Sequence, residues 1–343
     1  MTTRRFSAAD EDLDAFYGDL SAADLQPLWL LEPMVAHPPA VSGAHVWRWK
    51  DLRSFSERAG DLVPIDRGGD RRVLALSNPT LGGRPYATTT LWGAVQYLRA
   101  SEIAPAHRHT PGALRFVLEG TGVWTRVEGD SVAMAPGDLV LTPSWTWHEH
   151  HNSGEGPMIW FDALDLPLLE ALDAVFFERG DDVDVVRAAP ARSASEVEYA
   201  GAPGLIPVDA RPPAHHSALL AYRWADTDRA LEALSGQRGG AAVALRFADP
   251  SSGADVMPTM RCEMHRVPAG VRTDMVRVVG SSIFVVFQGA CSALIGAEHF
   301  ELSAGDVLAV PSFVSYSFQA SDTTDLFRVS DAPVIEALGI GHR

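Results

Sequence analysis

The sequence predicts an all-β protein built from two tandem jelly-roll barrels, with a few peripheral helices. Short runs rich in β-branched and large apolar residues, such as 114–120 and 138–142, are typical of strands. Turn signals separate these runs, among them Thr110-Pro111-Gly112 and Pro136-Gly137-Asp138. Short antiparallel strands with such turns favour a jelly roll, and the C-terminal part of the chain repeats the pattern.

Length and composition limit the class of protein. A chain of 343 residues with a 46% hydrophobic fraction is long enough for two domains with substantial cores. The net charge of -16 argues against nucleic acid and against an anionic membrane surface as partners. No apolar run reaches membrane-spanning length, and two cysteines supply no disulfide framework. We therefore expect a soluble, cytoplasmic protein.

Three histidines predict a metal site in the first barrel. Residues i and i+2 of a strand share a face, so His107 and His109 can point at one spot. In a jelly roll a distant strand can bring His148 beside them. Three converging neutral imidazoles suit a divalent transition metal. Because an isolated His-x-His is usually polar surface, the prediction depends on the complete pattern.

The stretch from His107 to Asn152 completes that pattern and resembles a cupin. Gly137, Pro143 and His148 fall at the spacings of the second cupin motif. The usual cupin carries a glutamate ligand four or five residues after its second histidine, where this chain has Ala113-Leu114. The predicted ligand set is therefore three histidines without a carboxylate.

The C-terminal copy has lost this ligand set. Segment 305–313 aligns with segment 137–145, since both begin with Gly-Asp and end with Pro-Ser followed by an aromatic residue. The alignment places Val276, Val278 and Tyr316 at the positions of His107, His109 and His148. Valine cannot bind a metal, so we expect the second barrel to be metal-free and to serve as a scaffold or subunit contact.

These patterns divide the chain into four parts. We expect a helical and extended arm over residues 1–70, a metal-binding barrel over 71–180, a linker with a helix over 181–240 and the second barrel over 241–343. The apolar, Pro-rich stretch 27–39 packs either on the barrel or on a neighbouring subunit.

Local patterns predict several elements within these parts. Helices are expected over 13–25, around 168–176 and over 217–234, and the linker over 188–213. Trp47 and Trp49 alternate as on a half-buried strand.

Longer blocks identify a family. EIAPAHRHTPGALRFVLEGTG, PGDLVLTPSWTWHEHHN and WFDALDLPL closely resemble the gentisate 1,2-dioxygenases, whose relatives include salicylate and 1-hydroxy-2-naphthoate dioxygenases. PLW, LWGAVQ, MPTM and LFRVSDAP extend the resemblance over nearly the whole chain, and His151 departs from the residue type of many members. The resemblance implies a bicupin homotetramer that uses Fe(II) and O2 to cleave a hydroxylated aromatic carboxylate. Gentisate would give maleylpyruvate.

The resemblance also implies roles around the metal. Arg115 matches a position that contacts the substrate carboxylate, which a guanidinium can bind through two hydrogen bonds. His150 shares the strand face of His148 and is expected to hydrogen-bond the substrate's ring hydroxyl or the oxygen intermediate. Asp162 is expected to orient an imidazole. The remaining substrate contacts are expected from Trp92, Ala94, Gln96, Trp160, Arg67 and Arg71.

Alternatives remain open at this point. The arginines Arg67, Arg71 and Arg72 form either an anion-binding rim or a solvated face. The preferred acid could be gentisate, salicylate, a substituted gentisate or 1-hydroxy-2-naphthoate. A three-histidine zinc site that activates water would also be chemically sensible, as in an isomerase or hydrolase, and a non-enzymatic binding cupin is the third class.

Overall fold

The computed structural model describes residues 10–31, 42–69, 72–180, 189–202, 204–213 and 215–341. The chain forms two compact units, Met1–Pro39 and Ala40–Arg343. In the first unit, helix α1 (Asp10–Ala22) precedes a short 3-10 turn, Leu28–Leu30. The indole of Trp29 donates a hydrogen bond to the Tyr17 hydroxyl (3.2 Å). Much of the stretch 27–39 lies outside the described residues.

The second unit contains two β barrels and short helices. The helices are α2 (Trp49–Leu62), α3 (Leu166–Ala171), α4 (Ala194–Tyr199), α5 (Trp224–Gln237) and α6 (Ala332–Ala337). The strands up to the end of the first barrel are β1 (His45–Trp47), β2 (Val73–Ala75), β3 (Trp92–Leu98), β4 (Ile103–His109), β5 (Ala113–Glu119), β6 (Val123–Val127), β7 (Asp130–Ala133), β8 (Leu139–Thr142), β9 (His148–Asn152), β10 (Met158–Leu164) and β11 (Phe177–Arg179). The later strands are β12 (Ala221–Tyr222), β13 (Val243–Arg246), β14 (Arg261–Val267), β15 (Ser282–Gln288), β16 (Ala290–Ile295), β17 (Glu298–Ser303), β18 (Val307–Val310), β19 (Tyr316–Ala320) and β20 (Thr324–Ser330).

The predicted all-β bicupin fold is confirmed. The first barrel combines a sheet in the order β12-β8-β5-β10-β3-β2 with a sheet in the order β11-β4-β9-β6-β7. The second combines β1-β18-β15-β20-β14-β13 with β17-β16-β19. Each large sheet thus borrows one strand from the segment that precedes the other barrel, because β1 pairs with β18 and β12 pairs with β8.

An Arg-Trp pair follows each borrowed strand. It forms hydrogen bonds to the aspartate of the Gly-Asp turn in the barrel whose sheet contains that strand. In the first barrel, Asp138 accepts hydrogen bonds from the Trp224 backbone N–H (2.9 Å) and the Arg223 guanidinium (2.7 Å). Gly137 has a positive φ of 85°, and a Cβ there would lie 2.7 Å from the Trp224 ring. Only glycine fits this position.

The second barrel repeats the arrangement. Asp306 accepts from the Trp49 N–H (2.8 Å) and from Arg48 (2.8 Å), and a Cβ on Gly305 would lie 2.2 Å from the Trp49 ring. The expectation that Trp47 and Trp49 alternate on one strand is wrong, since β1 ends at Trp47 and Trp49 begins α2. The distant carboxylate, which accepts the first N–H of the helix, stabilises this helix start.

Aromatic side chains join the two barrels into one core. Phe116 of the first barrel stacks on Phe327 of the second, with ring centroids 4.3 Å apart and an interplanar angle of 4°. Phe161 and Phe287 contact the same pair, at 6.5 Å from Phe327 and 5.3 Å from Phe116. A continuous cluster of buried side chains includes residues from both barrels.

Other elements also differ from the sequence expectations, including the helix expected over 13–25, which spans Asp10–Ala22. The helix expected around 168–176 ends at Ala171 and is followed by Asp173 with a positive φ of 53°. The helix expected over 217–234 begins only at Trp224, because the residues before it form the borrowed strand β12. The linker contains α4, which begins with a capping box between Ser193 and Glu196.

Truncation of Phe327 should lower the free energy of unfolding by about 3–5 kcal/mol, because the ring is fully buried between the barrels. The change is Phe327→Ala, and the measurement is urea unfolding followed by tryptophan fluorescence. Phe55→Ala is the matched control, since the Phe55 side chain lies on α2 and is 52% exposed. Equal losses for the two variants would contradict a shared core.

Candidate metal centre and active site

Pairing of β4 with β9 brings together the three histidines that the sequence singled out. His107 lies directly opposite His148, and His109 follows on the same face of β4. The candidate ligand atoms of the three imidazoles lie within 4.8 Å of one another. The described residues of this group include no carboxylate. The two positions where a cupin glutamate was sought are the buried Ala113 and Leu114.

Each imidazole is oriented by a backbone carbonyl. The Nδ1 atoms lie 2.9 Å from Pro105 O for His107, 2.7 Å from Pro111 O for His109 and 2.9 Å from Thr146 O for His148. A carbonyl can only accept, so each Nδ1 carries a proton and Nε2 is the candidate ligand atom of each ring. Such outer contacts are typical of histidines that bind metals.

Burial keeps the His109 and His148 rings neutral. It lowers the pKa of His109 to about 4, and it lowers the pKa of His148 well below its usual value, with the charge of Arg115 adding to the effect. The His148 Nε2 is buried and has no hydrogen-bond partner in the described structure. A group of three imidazoles in which the His148 Nε2 is buried without a partner fits a divalent transition metal.

Residues on three neighbouring strands form the inner wall beside the histidines. On β10, Asp162 lies opposite Arg115 of β5 and Ala94 of β3, while Trp160 lies opposite Gln96. Directly opposite residues of antiparallel strands share a face, so these five predicted site residues face the same side. All of them are buried.

Arg115 and Asp162 form a close but incomplete ion pair. The Arg115 Nη1 donates to the Thr142 hydroxyl (2.7 Å), whereas its Nε lies 3.6 Å from Asp162 Oδ1 and lacks a hydrogen-bond partner among the described residues. Burial raises the pKa of Asp162 to about 7, although Arg115 and the Trp160 indole N–H (3.1 Å) favour the charged form. The guanidinium charge is therefore only partly offset near neutral pH.

His150 presents a second unsatisfied nitrogen. Its Nδ1 lies 2.8 Å from the Thr125 hydroxyl, and its Nε2 is buried without a partner in the described part of the chain. Burial, with the Arg115 charge as the second cause, lowers the pKa of His150 well below its usual value. His151 lies on the opposite face and stacks on Trp124 at 4.1 Å, as strand alternation predicted.

The structure gives less support to the remaining substrate contacts that the sequence predicted. Trp92 is half-buried at the start of β3. Arg67 is exposed, and its side chain forms no hydrogen bond or ion pair with another described residue; its backbone N–H donates to the Pro64 carbonyl at 2.9 Å. Arg71 lies outside the described residues. Arg72 is buried in an ion pair with Glu102, which leaves it unavailable for an anion-binding rim.

Sequence reasoning missed Phe177 and the hydroxyls of Thr125 and Thr142. Phe177 begins β11, lies opposite His109 and stacks on the His107 ring at 5.6 Å. Phe177 directly follows the segment 168–176, which was expected to be helical. The two threonines carry no motif of their own and could be found only through cross-strand partners.

Comparisons with known proteins agree with this architecture. The sequence model of the Cupin domain family matches residues 94–164, which contain all three histidines. The chain is 50% identical over 342 residues to a gentisate 1,2-dioxygenase of Streptomyces sp., covering 96% of this chain and 94% of the relative. It is 33% identical over 337 residues to gentisate 1,2 dioxygenase 1 of Aquipseudomonas alcaligenes, covering 97% and 96%.

Structural similarity extends over the whole length. The crystal structure of salicylate 1,2-dioxygenase from Pseudoaminobacter salicylatoxidans with gentisate adducts superposes with a TM-score of 0.94 at 42% identity, covering 100% of this chain and 96% of that one. Identity at this level over nearly complete chains, combined with the bicupin fold, shows that this chain belongs to the gentisate 1,2-dioxygenase family of ring-cleaving dioxygenases.

Proposed function

We propose that this chain is an Fe(II)-dependent dioxygenase that opens the ring of gentisate (2,5-dihydroxybenzoate) with O2. Cleavage between the carboxyl-bearing and hydroxyl-bearing carbons gives maleylpyruvate. The observation that carries the proposal is the three-histidine group beside Arg115 and His150. His148, Arg115 and His150 each have a buried nitrogen without a hydrogen-bond partner in the described part of the chain. The named activity of the relative with 50% identity supports the choice of substrate.

His107, His109 and His148 would hold the iron through their Nε2 atoms. Neutral ligands would leave the charge of a bound Fe(II) undiminished. When bound, iron supplies a shared site for the substrate and O2 and the electron transfer between them. The protein orients the imidazoles through the Nδ1–H hydrogen bonds to the carbonyls of Pro105, Pro111 and Thr146.

Arg115 binds the substrate carboxylate in this proposal. A carboxylate would accept from the unsatisfied Nε and offset a charge that Asp162 neutralises only in part. Charge-assisted hydrogen bonds in a dry site are strong and directional. Trp160 holds Asp162 in place through its indole N–H. Arg67 and Arg71 would add positive charge for the same acid.

His150 handles a proton at its Nε2. The Thr125 hydroxyl can donate to or accept from Nδ1, so the neutral ring can adopt either tautomer. His150 can therefore accept a hydrogen bond from a ring hydroxyl or donate one to an oxygen atom during the reaction.

Ala94 leaves space between Trp92 and Gln96, and these three residues would shape the slot for the aromatic ring.

Salicylate is the second candidate substrate. It lacks the 5-hydroxyl group of gentisate but keeps the carboxylate and the ortho hydroxyl. The salicylate 1,2-dioxygenase with gentisate adducts is 42% identical to this chain. A screen of gentisate, substituted gentisates, salicylate and 1-hydroxy-2-naphthoate by oxygen uptake would rank the acids. Metal analysis of anaerobically purified protein would distinguish iron from zinc or manganese.

We further propose a cytoplasmic homotetramer. Leu28, Trp29 and Leu30 are each more than half exposed in the single chain, which is typical of surfaces that bind another protein. Among the described helices, none is long and apolar enough to cross a bilayer. The proposal also divides the chain into an arm (1–70), a metal-binding barrel (71–180), a linker (181–240) and a second barrel (241–343).

Replacement of His109 by alanine should abolish iron binding and ring cleavage. The loss should exceed the roughly 10–100-fold that removal of an outer contact to a metal ligand costs. Iron content and oxygen uptake with gentisate are the measurements. His299→Ala is the control, because His299 is exposed on the second barrel. Full turnover by His109→Ala would refute the metal site.

Replacement of Arg115 by alanine should raise KM for gentisate by roughly 10–100-fold, the equivalent of one lost charge-assisted hydrogen bond. Iron content should stay unchanged. Arg115→Lys keeps the charge without the planar fork and should be intermediate. Steady-state kinetics and metal analysis test this; loss of iron in Arg115→Ala with an unchanged KM would contradict the assignment.

Asp162 should make the metal-free protein less stable as the pH rises from about 4 to about 7. Its folded pKa of about 7 lies above the usual value of 3.8, so the folded state holds a proton that the unfolded chain releases in this window. Asp162→Asn should flatten this slope of unfolding free energy against pH, whereas Asp274→Asn, which removes an exposed charge, should not. Identical slopes in the wild type and Asp162→Asn would contradict the account.

A further inference from the structure

Arg108 lies between two of the histidines but on the other face of β4. Its guanidinium carbon is 4.5 Å from the ring centroid of Trp145 and 4.6 Å from that of Trp147. The planar cation is therefore enclosed by two indoles, and its side chain is only 26% exposed. Arginine is well suited to such stacking because its guanidinium is flat and weakly hydrated.

The two indoles flank a residue that orients a candidate ligand. Thr146 lies between them in sequence, and its carbonyl accepts the Nδ1–H of His148 at 2.9 Å. The backbone N–H of Trp145 donates to the His109 carbonyl at 2.8 Å. The loop that enters β9 is thus attached to β4 through its backbone and through the Arg108 side chain.

Charged groups hold both sides of this arrangement. The Arg108 Nε and Nη2 donate to Glu178 Oε2 of β11, at 2.8 and 2.5 Å. The Glu128 carboxylate accepts from the Trp147 N–H at 2.7 Å, and the Glu128 N–H donates to the Trp147 carbonyl at 2.9 Å. Neither Arg108 nor Trp147 can shift without loss of these hydrogen bonds.

The second barrel repeats half of the arrangement. The Arg277 guanidinium carbon lies 4.7 Å from the Phe313 ring. Phe313 matches Trp145, since their φ angles are 60° and 59°, and the Phe313 N–H donates to the Val278 carbonyl at 2.8 Å. Val276 pairs with Tyr316 as His107 pairs with His148.

The position of Trp147 differs between the copies. The aligned residue of the second barrel is Ser315, which offers no ring. In both loops an arginine packs on an aromatic ring, Arg108 on Trp145 and Arg277 on Phe313, although only the first barrel has the histidines. The second indole occurs in the barrel whose loop leads to a histidine of the metal group.

We propose that Arg108 is a positioning residue for the metal site. Clamped between Trp145 and Trp147, it fixes the Thr146 carbonyl and thereby holds the His148 imidazole toward His107 and His109. This inference rests on the metal site described under the proposed function. It makes a separate claim, because a three-histidine site could bind metal without the clamp.

Metal affinity tests the clamp, with Co(II) as the probe. In Arg108→Ala, the Co(II) dissociation constant from chelator competition should rise about 10–100-fold, the usual effect of losing an outer support. The Co(II) absorption bands should shift. Loss of a positive charge would by itself tighten cation binding, so weaker binding cannot be a charge effect. Arg108→Lys should restore part of the affinity.

Two further variants separate positioning from folding. Trp147→Ser gives the first barrel the residue of the second and should also weaken Co(II) binding and shift the bands, even if Arg108→Ala fails to fold. Arg277→Ala removes the corresponding cation from the barrel without histidines and should leave affinity within about twofold of the wild type.

The proposal is overturned if Trp147→Ser and a folded Arg108→Ala bind Co(II) as the wild type does. It is equally overturned if Arg277→Ala weakens binding as much as they do, since the effect would then be a general loss of stability. Failure of the wild type itself to bind Co(II) would instead refute the proposed metal site, and the clamp with it.

Discussion

The antiparallel pairing of β4 with β9 is the interaction on which the site depends. It sets His107 opposite His148, and the i+2 spacing of β4 then adds His109. The pair forms only when the first barrel closes, because the two strands come from distant parts of the chain. β11 covers the other edge of β4, so the strand with two of the three histidines is held on both sides.

The second barrel supports the first, although its three matching positions hold two valines and a tyrosine. Phe327 stacks on Phe116 across the shared core. Strand β12 and the Arg223-Trp224 pair, which precede the second barrel in the chain, complete the sheet of the first and bind Asp138. Helix α5, which begins at this pair, packs against β13 and β14. The second copy therefore contributes to the structure of the first barrel without the three histidines.

Local periodicity predicted the strands and which side chains share a face, and the family resemblance supplied the roles of the residues in the inner wall. His107 with His109, and Trp160 with Asp162, differ by two residues, and strand alternation then decides the face. Features that depend on distant partners could not be predicted in this way. From the sequence, Trp49 was expected on a strand, but in the structure it begins a helix and its N–H donates to Asp306. Arg72 was expected at the surface, but it is buried in an ion pair with Glu102. Phe177 follows the segment that was expected to be helical, but it belongs to β11, which pairs with β4.

Oxygen consumption by the Fe(II)-loaded protein with gentisate tests the central claim most directly. If imidazoles alone hold ferrous iron beside Arg115, the protein should consume O2 and gentisate in equal amounts, while the Zn(II)-loaded protein consumes neither. No oxygen uptake by the iron form with any of the candidate acids, or equal uptake by the zinc form, would contradict the account.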